Sequence, residues 1–116
     1  MGFCYGAKPV VDIIKHPQLS SIVNSAVVAH PSFLVEQDAN EIKRPILFLC
    51  AENDSIFVPN LRQEFEKVLK SNGLGIFNEY PGTQHGFVCR PSDSEAVFEQ
   101  SRKALQAAIQ HFNKTL

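Results

Sequence analysis

Three residues widely separated in the chain have the types needed for nucleophilic catalysis: Cys4, Asp54 and His85. A thiol attacks an acyl carbon. An imidazole takes the thiol proton and returns it to the leaving oxygen. A carboxylate holds the imidazole tautomer and stabilises its charged form. Cys4 lies in Gly2-Phe3-Cys4-Tyr5-Gly6, a G-x-nucleophile-x-G pentapeptide. Such a pentapeptide forms the sharp turn between a buried strand and a helix. Its two glycines leave room around a strained backbone, and the nucleophile stands exposed above the sheet edge. The helix that follows favours the thiolate through its dipole and free N–H groups. The backbone N–H of Tyr5 would supply half of an oxyanion hole. Each residue also has a plainer reading. A short G-x-C-x-G recurs by chance, Asp54 in Glu52-Asn53-Asp54-Ser55 is good turn chemistry, and any surface histidine can be inert. Three of the four histidines read that way: His16 by a helix end, His30 by a strand end and His111 in the last helix. His85 stands apart, because Gly82 and Gly86 bracket its loop and an apolar strand precedes it.

These residues need elements that bring them to one edge. Residues 5–16 read as the helix after the elbow, with Val10, Ile13 and Ile14 at helical spacing, Pro9 in the first turn and Pro17 just past the end. Residues 25–30 are a short apolar run, read as a buried strand. Residues 31–44 read as a polar loop carrying Asp38, Asn40 and Glu41. Residues 46–51 are apolar at every position, the mark of a parallel-sheet strand covered on both faces. Cys50 lies inside that run and reads as core filler. Asp54 follows the strand's carboxyl end. A helix starting at Pro59 or Asn60 and running to about Ser71 places Leu61, Phe65, Val68 and Leu69 on one face, and Asn72-Gly73 stops it. Residues 75–80 form the next strand and 81–86 the loop that holds His85. Ser92 to Glu95 reads as a capping box opening the last helix, whose buried stripe is Phe98, Leu105, Ile109 and Phe112.

Strands alternating with helices argue for an α/β fold, a parallel sheet of about three strands with helices on both faces. In open α/β sheets the site lies outside the carboxyl ends of the strands, where Cys4, Asp54 and His85 would meet.

The composition is that of an ordinary globular domain: 116 residues, 44% hydrophobic and 20% charged. The whole chain, 1–116, reads as one unit. A net charge of −1 offers nothing to nucleic acid or to a membrane surface. There is no apolar run of membrane-spanning length and no basic-then-apolar leader. Cys4, Cys50 and Cys89 are odd in number and widely spaced, which fits a reducing cytosol and a cytoplasmic protein. With no C-x-x-C pair and four scattered histidines, a zinc site is not expected. A thiol redox module is a weaker reading, resting on Cys89 coming near Cys4 in space.

Four segments together resemble a known family: Gly-Phe-Cys-Tyr-Gly-Ala at the elbow, His-Pro-Ser-Phe from His30, Pro-Ile-Leu-Phe-Leu-Cys-Ala-Glu-Asn-Asp ending at Asp54, and Tyr-Pro-Gly-Thr-Gln-His-Gly-Phe around His85. On these the chain resembles the C-terminal half of a dienelactone hydrolase family protein, of the α/β-hydrolase superfamily. The order nucleophile, Asp, His is that superfamily's order. The resemblance implies a cysteine hydrolase that opens a small-molecule ester or lactone, in the type reaction an enol lactone bearing a carboxylate. By resemblance Cys4, Asp54 and His85 form the triad, and no metal or organic cofactor is implied. Family members that bind a carboxylated lactone use arginines, one shortly after the triad histidine. Here Arg90 stands five residues after His85 and is either that substrate-binding group or a surface charge. Ala7 replaces a glycine that often continues the elbow. The resemblance also implies that the family's N-terminal strands, including the one carrying the elbow, are missing. The strand around Val27-Val28 would then have an open edge that invites a homo-oligomer. The alternative reading is a non-catalytic half-domain that pairs with itself or with a complementary chain.

Overall fold

The all-apolar run does form a strand covered on both faces. In the computed structural model, which describes residues 1–92 and 94–116, it is β3 (Ile46–Asn53). It belongs to a four-stranded parallel sheet with β1 (Gly2–Phe3), β2 (Ala26–Ala29) and β4 (Gly75–Gln84), arranged in chain order β1-β2-β3-β4. Successive β3 side chains point to opposite faces. Ile46, Phe48 and Cys50 enter one core with Val11 and Ile14 of α1 (Ala7–Lys15), Ala39 of α2 (Glu36–Glu41), and Phe65 and Leu69 of α3 (Pro59–Ser71). Leu47, Leu49 and Ala51 enter the other with Ala104 and Ala108 of α4 (Glu95–Thr115). Phe48 is the centre of the first core: it stacks on Phe57 and Phe77 and meets Phe65 edge-on. Truncating so buried a ring costs about 3–5 kcal/mol. No helix among the described residues is long and apolar enough to cross a membrane.

The sheet has one strand more than the three read from the sequence. Gly2 and Phe3 pair with Val28 and Ala29, so β2 has a partner over half its length where an open edge was expected. A strand of two residues has no periodicity to recognise.

The region 31–44 is not all loop, because α2 forms within it. Its sequence lacks an apolar stripe, and tertiary anchoring supplies the stability instead. Buried Asp38 accepts the Val35 N–H at 2.9 Å and the Lys15 ammonium at 2.6 Å, while Ala39 packs into the core. The fourth strand likewise runs past residue 80 to Gln84. Pro81 is tolerated because β4 is an edge strand. Pairing resumes at Asn53–Gln84 after an irregularity, and the buried Thr83 hydroxyl bridges the Glu52 N–H and the Tyr80 carbonyl.

In α4 the buried face is Ser101, Ala104, Ala108 and His111, and of the expected large residues only Phe112 packs, half-buried, against the core. Phe98, Leu105 and Ile109 are exposed. The small residues let the helix lie close on the sheet, and Ser101 Oγ donates to the Val88 carbonyl at 3.0 Å. In α1 the buried face is Ala7, Val11 and Ile14, and Ile13 is exposed. The capping box expected at the start of α4 spans Asp93, which lies outside the described residues. Ser94 precedes the first turn without a side-chain cap, and Ser92 Oγ accepts its N–H instead.

Candidate active site

The elbow is built from β1, a single 3-10 turn (Cys4–Gly6) and α1. Cys4 takes a left-handed φ of 49°. A Cβ on Gly2 would run into the Gly6 carbonyl, so only glycine fits there. Gly6 is different: its φ is −65°, and among the described residues a Cβ on it would meet nothing within 4 Å. One glycine, not two, is therefore demanded by the turn. Ser32 donates its N–H to the Cys4 carbonyl at 3.0 Å, tying the elbow to the segment after β2. That segment is also strained, with φ of 35° at His30 and 66° at Phe33. Three non-glycine residues in the left-handed region thus gather at the carboxyl ends of β1 and β2, each at a cost of order 1–3 kcal/mol.

Asp54 and His85 meet across the ends of β3 and β4. The Nδ1–H of His85 faces both carboxylate oxygens of Asp54, at 2.9 and 3.1 Å. Asp54 Oδ1 also accepts the N–H groups of Ile56 and Phe57, at 2.8 and 3.0 Å. The turn role and the histidine-holding role thus belong to the same carboxylate. With Nδ1 donating, Nε2 of His85 is an acceptor, and the Ser32 hydroxyl lies on it at 3.3 Å.

Cys4 is placed otherwise. Its side chain does not stand exposed above the sheet; the residue is 6% exposed. Sγ lies 3.2 Å from Nδ1 of His30, 3.9 Å from Cys89 Sγ and 3.8 Å from the Arg90 guanidinium. The fold therefore joins Asp54 to His85 and leaves the Cys4 sulfur on the neighbouring imidazole, the two rings being 5.2 Å apart. Burial and the Cys89 thiol push the Cys4 thiol above the ordinary range, and Arg90 opposes them. The lowering expected from the helix N-terminus is outweighed by desolvation.

His30 is fully buried, and its Nε2 accepts the Val88 N–H at 3.3 Å. Burial, followed by the charge of His85, lowers its pKa to about 4, so it is neutral near pH 7. Cys4, His30 and Cys89 present donor atoms within 4.8 Å of one another: Cys89 does come near Cys4, as the thiol redox reading required, and His30, read as inert in the sequence, joins them. The hydrogen bond from Val88 places the His30 proton on Nδ1, facing the sulfur. A proton there and a guanidinium beside the thiol suit an anionic sulfur better than a metal cation.

Arg90 folds over Gly86, whose φ is 91° and where a Cβ would meet the guanidinium. It also lines, with His85, Gln84 and Phe87, a cavity of about 340 Å³. Tyr5 is exposed and stacks on Phe33 at 5.1 Å between ring centroids. Cys50 is buried in the core, where desolvation pushes its thiol up to about 12. His30 and Ser32 were not singled out from the sequence as functional. Their signal was the one that marked Asp54: polar residues just after the carboxyl end of a buried apolar strand.

Comparison with known proteins places this geometry in context. The model of the dienelactone hydrolase family matches residues 1–116. The hydrolase tropI of Talaromyces stipitatus is 30% identical, over 98% of this chain and 44% of its own length. A carboxymethylenebutenolidase homolog of Mus musculus is 25% identical, over 91% of this chain and 45% of its own. A crystal structure of a Klebsiella pneumoniae protein assigned to the dienelactone hydrolases superposes with a TM-score of 0.76 at 19% identity, over 94% of this chain and 48% of that one. The chain thus spans less than half the length of each.

Proposed function

Since the chain belongs to the dienelactone hydrolase family, we propose that it carries the nucleophile and the acid–base pair of a cysteine-dependent carboxylic-ester or lactone hydrolase. The observation that carries this reading is the His85–Asp54 pair, closed at Nδ1 with its Nε2 turned towards the segment that abuts Cys4. In the reaction Cys4 Sγ turns from His30 to Nε2 of His85 and gives it the thiol proton. The sulfur bonds to the acyl carbon, and the Tyr5 N–H supports the developing oxyanion. His85 returns the proton as the carbon–oxygen bond breaks. Water, deprotonated by the same nitrogen, then attacks the thioester carbon; the carbon–sulfur bond breaks, the acid leaves and His85 returns the proton to the Cys4 sulfur. Asp54 keeps His85 in the required tautomer throughout. Arg90, beside both the sulfur and the cavity, is the anchor for a carboxylate on the substrate. Three free cysteines suit a reducing compartment such as the cytosol.

One distance favours a second reading. The Ser32 hydroxyl already sits on Nε2 of His85, so Ser32, His85 and Asp54 also form a hydrogen-bonded relay. Ser32 is not on the elbow, which supports Cys4 over it. Hydrolysis of p-nitrophenyl acetate separates the two. Cys4→Ala should bring nitrophenol release to the background rate while Ser32→Ala retains activity; the reverse result would transfer the nucleophile to Ser32.

A further inference from the structure

Among the described residues, His30 is the one buried titratable group at the site that the proposed reaction leaves unused. Its two nitrogens have separate partners. Nε2 accepts the Val88 N–H at 3.3 Å, so it carries a lone pair. In a neutral imidazole the proton is then on Nδ1, which lies 3.2 Å from Cys4 Sγ. With that nitrogen already protonated, His30 cannot serve as the base that takes the thiol proton. It is a donor, and a donor aimed at sulfur favours the charged form of the acceptor.

We propose that His30 is a positioning residue that holds the Cys4 sulfur as a hydrogen-bond acceptor through its Nδ1–H, so that the thiol gives up its proton more readily than it would without that donor. This rests on Cys4 being the nucleophile. The groups that face the sulfur come from two places: His30 from the end of β2, and Cys89 and Arg90 from the turn after β4. Arg90 works in the same direction as His30; burial and Cys89 work against both. The left-handed backbone at His30 fixes the ring under the elbow, and its T-shaped contact with Phe87, at 5.6 Å, restrains the ring plane.

Two substitutions divide the contacts of His30. His30→Asn keeps an N–H donor at the δ position and loses the reach to Val88, and asparagine tolerates the left-handed φ. His30→Gln puts a carbonyl oxygen at the ε position, within reach of the Val88 N–H, and loses the donor to Cys4. The measurement is the iodoacetamide alkylation rate of Cys4 against pH, read by peptide mass spectrometry, with Cys50 staying unmodified as the mark of an intact core. The expected result is a near-native midpoint in His30→Asn and a midpoint raised by about one pH unit in His30→Gln. Either variant suffices alone if the other does not fold. A raised midpoint in His30→Asn, or an unchanged one in His30→Gln, would overturn the inference and leave His30 as a tether for Val88. Failure of the nucleophile reading is distinct: it would appear as acetyl transfer from p-nitrophenyl acetate that bypasses Cys4 in the unsubstituted chain.

Discussion

Asp38 and Asp54 each hold a nitrogen base from a distant part of the chain, Asp38 the Lys15 ammonium at 2.6 Å and Asp54 the His85 ring at 2.9 Å. Both side chains are almost wholly buried, and both also accept backbone N–H groups at the start of their own segments. They differ in what the base has left to give. The Lys15 ammonium is ringed by carboxylates, with Asp12 at 3.6 Å and Glu41 at 3.7 Å besides Asp38. That cluster staples α1 to α2 under the polar stretch after β2. His85, which lines a cavity, spends one nitrogen on Asp54 and keeps the other for the Ser32 hydroxyl. A pair whose base is taken up wholly by carboxylates secures the fold. A pair with one nitrogen left at a cavity can move a proton.

The strongest way to break this contrast is to exchange the consequences. His85→Ala should slow acyl transfer to Cys4 by about 10³-fold or more, with little change in urea midpoint. A large loss of stability with acylation preserved would put His85 in the same structural class as Lys15. Next in size, Asp38→Ala should cost about 3 kcal/mol in urea unfolding at pH 7, because it leaves a part-buried ammonium without its main partner. Acylation by the remaining folded protein should be unchanged.

Acid pH should then shrink the second effect. Burial alone would raise the Asp38 carboxyl, but Lys15, the Val35 N–H and Lys8 together hold it below the usual range. The folded carboxyl therefore loses its proton more readily than the unfolded one. Its contribution is complete above the unfolded value of about 3.9 and fades as pH falls through the lower folded value. The stability gap between the unsubstituted chain and Asp38→Asn should be largest near neutrality and should shrink as pH falls below about 3.9, as unfolding at several pH values would reveal. The smallest effect belongs to Lys8, which is 3.5 Å from Asp38 and a third exposed. Lys8→Ala should move the urea-derived stability by no more than about 0.5 kcal/mol. A larger value would mean that the cluster acts as a three-charge unit.

Much of this architecture is legible in the chain itself. The run from Ile46 to Ala51 declares a two-faced strand, and Pro59, Phe65, Leu69 and Gly73 bound and orient α3. What escapes is structure made by distant partners. The helix α2 has no apolar period; it exists because Lys15 and the Val35 N–H reach Asp38. The α4 face is misjudged because small residues approach a sheet more closely than Phe98 or Ile109 can. At the site, the positions of Asp54 and His85 follow from residue type and strand ends. The local environment of Cys4 does not, because His30 and Cys89 are 26 and 85 residues away and only the folded sheet brings them to the sulfur. The elbow motif points to Cys4 as the proposed nucleophile, while burial and neighbours govern how readily its thiol ionises.

The central claim is that Cys4 accepts an acyl group with His85 as its base. Brief exposure to p-nitrophenyl acetate, followed by digestion and peptide mass spectrometry, tests it most directly. Acetyl carried on Cys4, absent from Cys50 and lost in His85→Ala, is the predicted result. Acetyl on Ser32, or on Cys4 and Cys89 equally with no dependence on His85, would contradict it.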